Sequence, residues 1–230
     1  MSVIISGATG GVGKELTELY ASKGHNLILL GRSKSKLKIL TDYIQKRYSV
    51  EISYFVCDIA HEEEVDKLII NINKLSVDFE ILINVAGVFP VGPIIEMKND
   101  DYYNCMNVNL KLPIILSKGF YKKLAHGGGK IINIGSSSSY GGFKNTALYC
   151  ASKHAILGLS RALNDEWKDS GVTVHCISPG TIDTKMAAVL DQDRTTYIQP
   201  NEFAQLVYDV GTYSGNMLVD EVRAVRRTIK

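Results

Sequence analysis

The sequence predicts an α/β fold, a doubly wound parallel sheet with helices on both faces, built by residues 1–230 as one domain. Three observations predict it. Short aliphatic runs alternate with stretches of helical period along the whole chain. The runs are apolar throughout, which is the pattern of strands buried on both faces. A glycine-rich turn follows the first run, and strand–helix–strand repeats with right-handed crossovers generate a parallel sheet.

Val3 to Ser6 is the first strand, and a helix follows to Lys23 with Leu16, Leu19 and Tyr20 three or four apart. Gly24-His25 closes that helix, glycine being the usual residue after a helix end. Leu27 to Leu30 is a continuous aliphatic strand, Lys34 to Tyr48 a helix, Ile52 to Val56 a strand and Glu62 to Leu75 a helix. Phe79 to Asn84 is the fourth strand. After a loop of Gly, Pro and Val, one long helix runs from about Asp100 to Leu124, and Lys130 to Ile134 is the fifth strand. A helix from about Ala147 to Asp169 leads to a strand at Val172 to Ile177. The last helix lies near Asn201 to Tyr213 and the last strand near Met217 to Val222.

Composition narrows the function. Hydrophobic residues make up 45% and charged residues 22%, the balance of an ordinary globular chain. A chain of this length buries roughly 70% of its unfolded surface, so it folds without disulfide or metal. With 26 Lys and Arg against 24 Asp and Glu, there is no basic excess of the kind that grips nucleic acid. The aliphatic runs fall short of the ~20 residues that span a bilayer. Val3-Ile4-Ile5 follows Met1 without a basic segment or cleavage site. The expectation is a soluble, cytoplasmic protein with neither a nucleic-acid nor a membrane partner. Cys57, Cys105, Cys150 and Cys176 are scattered and read as reduced core packers. His25, His61, His126, His154 and His175 have no ligand spacing, so no metal is expected.

Ser6-Gly7-Ala8-Thr9-Gly10-Gly11-Val12-Gly13 joins the first strand to the first helix. Glycines there let the backbone turn sharply and let a pyrophosphate approach the helix N-terminus, whose free N–H groups favour anions. The second strand ends in Gly31-Arg32, with Lys34 and Lys36 beyond. An NAD site usually places a carboxylate there for the ribose 2′-hydroxyl. Arg32 instead suits a 2′-phosphate, so the cofactor read from the chain is NADP(H) in preference to NAD(H). A solvated Arg32 with loose preference is the plain alternative. Asp58, after the third strand, is placed to accept from an adenine amino group, or to cap the next helix.

Two Y-x-x-x-K pairs occur, and the pattern alone arises easily by chance. Tyr140 and Lys144 have Gly141-Gly142 between them, which rules out a stable helix. Tyr149 and Lys153 open a strong helical run and so share one face. A free tyrosine has a pKa of about 10. A nearby ammonium, with a positive nicotinamide ring, favours the phenolate, and a shift of ~3 units requires about 4 kcal/mol. Tyr149 can then exchange a proton with an alkoxide. Ser136 ends the fifth strand, where ligands of open α/β sheets bind, and its hydroxyl can donate to a carbonyl oxygen.

These residues together resemble the classical short-chain dehydrogenase/reductase family, with its Rossmann-type fold, from Ser6 to about Thr184. Gly7, Gly11 and Gly13 resemble its T-G-x-x-x-G-x-G turn, with Ser6 in the threonine position. Asn84-Val85-Ala86-Gly87 resembles N-N-A-G, with Val85 in place of the second Asn. Ser136 precedes Tyr149 by the family's usual interval, and Pro179-Gly180-Thr181-Ile182-Asp183-Thr184 resembles P-G-x-x-x-T. The resemblance implies a catalytic set of Ser136, Tyr149, Lys153 and Asn109, the last holding a water in a proton relay. It implies cofactor contacts from Ser6, Gly7, Thr9, Gly11, Val12 and Gly13, from Arg32 and Asp58, and from Asn84, Ala86 and Gly87. Tyr149 and Lys153 would join them, Lys153 through the nicotinamide ribose hydroxyls, as would Pro179, Gly180, Ile182 and Thr184 along the carboxamide and diphosphate. A substrate lid at about 185–200 and a homodimer or homotetramer are also implied. The C-terminal part from Leu190 is shorter than in most members and lacks D-G-G.

The expected activity is NADP(H)-dependent hydride transfer between nicotinamide and a carbonyl or alcohol carbon, in the direction of carbonyl reduction. The alternative is a catalytically silent NADP(H)-sensing protein. An epimerase or dehydratase of the same fold would need a larger C-terminal substrate domain. Phe89, Phe143 and Tyr197 are candidates to line the substrate site, with ordinary packing the alternative. Cys150 reads as a small helix packer rather than a redox thiol, and Arg223, Arg226, Arg227 and Lys230 as a solvated basic tail rather than contacts to an acidic carrier or phosphate.

Overall fold

In the computed structural model, which describes residues 1–190 and 193–227, seven strands form one parallel sheet. In chain order they are β1 (Ser2–Ser6), β2 (Asn26–Gly31), β3 (Ile52–Val56), β4 (Ile81–Asn84), β5 (Lys130–Ile134), β6 (Thr173–Pro179) and β7 (Glu221–Ala224). Their spatial order is β3-β2-β1-β4-β5-β6-β7. The helices are α1 (Gly11–Ser22), α2 (Lys34–Gln45), α3 (Glu62–Asn73), α4 (Asn99–Met106), α5 (Leu112–Gly127), α6 (Ala147–Trp167) and α7 (Pro200–Thr212).

Alternate side chains of each inner strand enter different cores, which is why the runs are apolar throughout. Val3, Ile5, Leu27, Leu29, Ile81, Ile83 and Ile132 meet Leu16 and Tyr20 of α1, Leu37 of α2 and Phe203 and Val207 of α7. Ile4, Ile28, Leu30, Leu82 and Ile131 meet Leu68 and Ile72 of α3 and Leu116, Phe120 and Leu124 of α5. Each crossover thus buries an aliphatic face that water would otherwise contact.

Two expectations are corrected. The helix read in one piece from Asp100 to Leu124 is α4 and α5 joined by a π-turn at Asn107–Lys111, where the Leu112 N–H donates to the Asn107 carbonyl. The physical cause is Pro113 in the first turn of α5. It has no N–H to give the Asn109 carbonyl its ordinary helical partner, and a wide turn absorbs the defect. The last strand is Glu221–Ala224, not Met217 to Val222, pairing with β6 from Cys176 opposite Glu221 to Pro179 opposite Ala224. Met217 and Leu218 are 62% and 51% exposed. On an edge strand, pairing register outranks hydrophobicity and charged residues are tolerated.

No helix among the described residues is long and apolar enough to cross a membrane. All four cysteines are buried and free, and Cys150 packs beside Thr146 with its sulfur 3.3 Å from Oγ1.

Phe120 is fully buried and meets Phe79 edge-on, with ring centroids 5.3 Å apart. Phe120→Ala opens a cavity in the α3/α5 layer and costs about 3–5 kcal/mol in a urea unfolding experiment.

Candidate active site

From β1 the sheet grows outward to β2 on one side and β4 on the other, so the connections leaving their C-terminal ends part and open a crevice. The crevice is a cleft of about 1750 Å³ that runs from the glycine turn past Arg32 at one end and Ser136 and Tyr149 at the other.

Its floor depends on close backbone approach. Gly7 has φ 68°, and a Cβ on it would lie 2.7 Å from the Ala86 backbone. A Cβ on Gly13 would lie 2.2 Å from the Gly7 carbonyl oxygen. The Ser6 hydroxyl accepts from the Val85 and Ala86 N–H groups at 3.2 and 3.4 Å, tying β1 to the turn after β4. Helix α1 has Gly10 before it in the cap position, with no side-chain cap and no acid in its first turn. Its free N–H groups and positive dipole end therefore face the cleft, a fit to a diphosphate. At the end of β2, exposed Arg32 lines the cleft with Ser33 and Lys36, and α2 also has no acid in its first turn. This corner suits a doubly charged 2′-phosphate. Asp58 lines the cleft too, with one carboxylate oxygen accepting from the Ala60 N–H at 3.1 Å. It forms a local turn, and His61 occupies the cap position of α3.

At the other end, α6 carries Tyr149 and Lys153 one turn apart. Lys153 is 6% exposed and its ammonium donates to the Ile134 carbonyl at 2.7 Å. Burial pulls its pKa down to about 8. Tyr149 is half-buried, with Phe89 against it edge-on at 4.6 Å between ring centroids. Burial pushes the Tyr149 phenol up to about 12, opposed by the Ser136 hydroxyl beside it. The side chains alone therefore leave Tyr149 a neutral phenol at pH 7. The Lys153 nitrogen is 5.7 Å from the Tyr149 ring centroid. The Ser136 oxygen accepts from the Ser138 N–H at 3.1 Å, so its own proton is free to donate.

Thr9, Gly11, Val12, Gly87, Pro179, Gly180, Ile182 and Thr184 also line the cleft. Two expected residues do not. Asn84 is buried beneath it, its amide donating to Asn133 Oδ1 at 2.8 Å. Asn133 in turn donates to Ser160 of α6 at 2.9 Å, so the chain of amides fastens β4, β5 and α6. Asn109 is 1% exposed. Its Oδ1 accepts from the Val88 N–H at 2.8 Å, and its Nδ2 donates to the Val88 carbonyl and to Ser152 Oγ at 3.0 Å each. The side chain is spent on positioning the loop after β4. Its main-chain carbonyl is the one that Pro113 leaves without a helical donor. Reading Pro113 four residues beyond Asn109 would have found this. Sequence reasoning also missed Ser33, Lys36 and Lys144 as cleft residues. Of the basic tail, Arg226 lines the cleft and Arg223 stacks on Tyr140 at 3.5 Å. Lys230 lies outside the described residues, as do residues 191 and 192 of the expected lid.

Residues 1–195 match the short chain dehydrogenase family. The chain is 32% identical over 215 residues to the 3-oxoacyl-(acyl-carrier-protein) reductase FabG of Rickettsia felis, covering 89% of this chain and 86% of that one. It is 29% identical over 190 residues to carbonyl reductase family member 4 of Danio rerio, covering 83% and 79%. A putative NAD(P)-dependent gluconate 5-dehydrogenase from Beutenbergia cavernae, solved with bound NADP, superposes with a TM-score of 0.89 at 27% identity over 97% of this chain and 94% of that one. A metagenomic short-chain oxidoreductase in complex with NADP gives 0.86 at 25% identity over 100% and 98%.

Asn109→Ala strands the half-buried Val88 N–H and carbonyl. It should cost about 1–3 kcal/mol in chemical unfolding, with faster amide exchange at Val88.

Proposed function

Because the chain belongs to the short-chain dehydrogenase family, we propose that it is an NADP(H)-dependent carbonyl reductase whose one domain holds both cofactor and substrate. The observation that carries this reading is the Tyr149 hydroxyl beside the Ser136 O–H donor, with buried Lys153 behind, in the cleft that Arg32 lines at its far end.

The residues fit the cofactor at three points. Arg32, with Ser33 and Lys36, would hold the 2′-phosphate. The N-terminus of α1, reached through Gly7 to Gly13, would hold the diphosphate. Lys153 would donate to the nicotinamide ribose hydroxyls while keeping the Ile134 carbonyl, an ammonium having three protons to share. NADPH supplies the hydride that the carbonyl carbon accepts.

Every other part is this chain's own. Ser136 donates to the substrate oxygen and polarises the carbonyl. As charge develops on that oxygen, the Tyr149 hydroxyl gives it a proton, which a phenol held protonated is ready to do. The charged Lys153 stabilises the phenolate left behind. The Asn109 main-chain carbonyl is the place where a water can hang to return the proton, since the Asn109 amide is occupied. Phe89 packs on Tyr149 and shields that proton from bulk water.

NADPH consumption with diketones, quinones, aldehydes and 3-oxoacyl thioesters tests the reading. Tyr149→Phe should lower kcat about 10²–10⁴-fold with NADPH binding retained. Arg32→Ala should raise KM for NADPH roughly tenfold or more and leave KM for NADH near its starting value. Unchanged turnover in Tyr149→Phe would refute the assignment of the proton donor. Equal use of NADH and NADPH by the wild type would refute the role of Arg32.

A further inference from the structure

Charge is divided unevenly along the cleft. The end beside Arg32 mixes Lys36 with Glu15, Glu18 and Asp58. Elsewhere the cleft is lined by Lys144, Lys185 and Arg226, and no other Asp or Glu among the described residues lines it. Asp183, close by in sequence, is turned toward Arg194, whose Nε donates to it at 2.7 Å. The three cations have different places. Lys185 follows Thr184, which sits so near the glycine turn that a Cβ on Gly11 would meet its Cγ2 at 2.7 Å. Lys185 thus belongs with the diphosphate corner. Lys144 is left for the substrate, and Arg226 sits over Gly180, which the resemblance places along the carboxamide, where nicotinamide and substrate meet.

Lys144 is carried on a clasped loop. Asn145 is the one non-glycine residue with positive φ among those described, at 64°. Backbone held in this region is maintained by its surroundings and concentrates at ligand sites. Here the Asn145 carbonyl accepts from the Gly92 N–H at 2.8 Å, and Thr146 Oγ1 donates to the Phe143 carbonyl at 2.8 Å. The clasp presents Lys144 together with Phe143, a phenyl ring 54% exposed at the rim. Arg226, just past β7, is half-buried, with its guanidinium 5.5 Å from the Tyr197 ring centroid and its Cγ 3.3 Å from where a Gly180 Cβ would be. Neither cation forms an ion pair with a described residue.

Resting on the reductase reading, we propose that the carbonyl substrate carries an anionic group, a carboxylate or a phosphate, recognised by Lys144 and Arg226 beside an apolar body packed on Phe89 and Phe143. A cleft lined by one sign of charge concentrates ligands of the other sign. The exposed phenyl ring gives the rest of such a molecule an apolar surface to leave water against.

Matched aldehydes test this with NADPH and the full chain: 4-carboxybenzaldehyde, its neutral methyl ester and 4-formylphenyl phosphate. Wild type should prefer an anionic aldehyde to the ester by about tenfold or more in kcat/KM, the better anion identifying carboxylate or phosphate as the group. Lys144→Ala and Arg226→Ala should each shrink that ratio, Lys144→Glu should invert it, and added salt should lower it. A wild-type ratio near one, or a ratio that survives all three substitutions, overturns the proposal. If none of the three aldehydes is turned over, the wider carbonyl panel decides the reductase reading separately, and calorimetric binding of unreactive benzoate and phenyl phosphate against benzamide decides this one. Tighter binding of an anion that Lys144→Glu abolishes supports the site, and equal binding overturns it.

Discussion

A lysine ammonium held away from water is the constraint on which the candidate site depends. Lys153 keeps its charge beside an apolar core because the Ile134 carbonyl, at the end of β5, accepts from it at 2.7 Å. That bond sets α6 against the C-terminal edge of the sheet. It thereby places Tyr149 one helical turn before Lys153 and Ser136 two residues past Ile134. Desolvation costs the ammonium enough to bring its pKa to about 8. An acceptor arriving beside Lys153 restores what burial removed.

The sheet supplies the remaining geometry. Residues that face opposite cores in successive positions leave the middles of β1, β2, β4 and β5 apolar. Ser2, Asn26 and Lys130 stand at N-terminal ends, and Ser6, Asn84 and Asn133 at or near the C-terminal ends, where the chain turns. The polar residues there are joined to one another: Ser6 to the turn after β4, Asn84 to Asn133, and Asn133 to Ser160. Asn109 does the same for the loop at Val88. Buried amides of this kind hold fixed positions because an unpaired partner would be costly. The cleft walls are therefore rigid where Tyr149 and Ser136 meet, and open where exposed Arg32 and Lys144 face solvent.

Much of this was legible in the sequence. Continuous aliphatic runs marked the inner strands, and Gly7 and Gly13 marked the turn because nothing larger fits there. Helical continuity separated Tyr149 and Lys153 from Tyr140 and Lys144. What was not legible follows from long-range contacts. The position of β7 was set by register against β6 and not by its own hydrophobicity. The roles of Asn84 and Asn109 depend on partners 49 and 21 residues away. The protonation of Tyr149 depends on burial, which no spacing encodes. The π-turn was within reach, since Pro113 removes a specific hydrogen bond from Asn109.

The central claim is that the buried charge of Lys153 prepares the cleft for nicotinamide nucleotide, and NADPH affinity measured against pH tests it most directly. In the proposed complex Lys153 would donate to the ribose as an ammonium, so binding would raise its pKa and favour the protonated form. Affinity should hold steady below the ligand-free pKa of about 8 and fall as pH rises through it, by up to about tenfold per unit. Lys153→Met should bind more weakly and show no such break. A flat wild-type profile across that range, or the same break retained in Lys153→Met, would contradict the account.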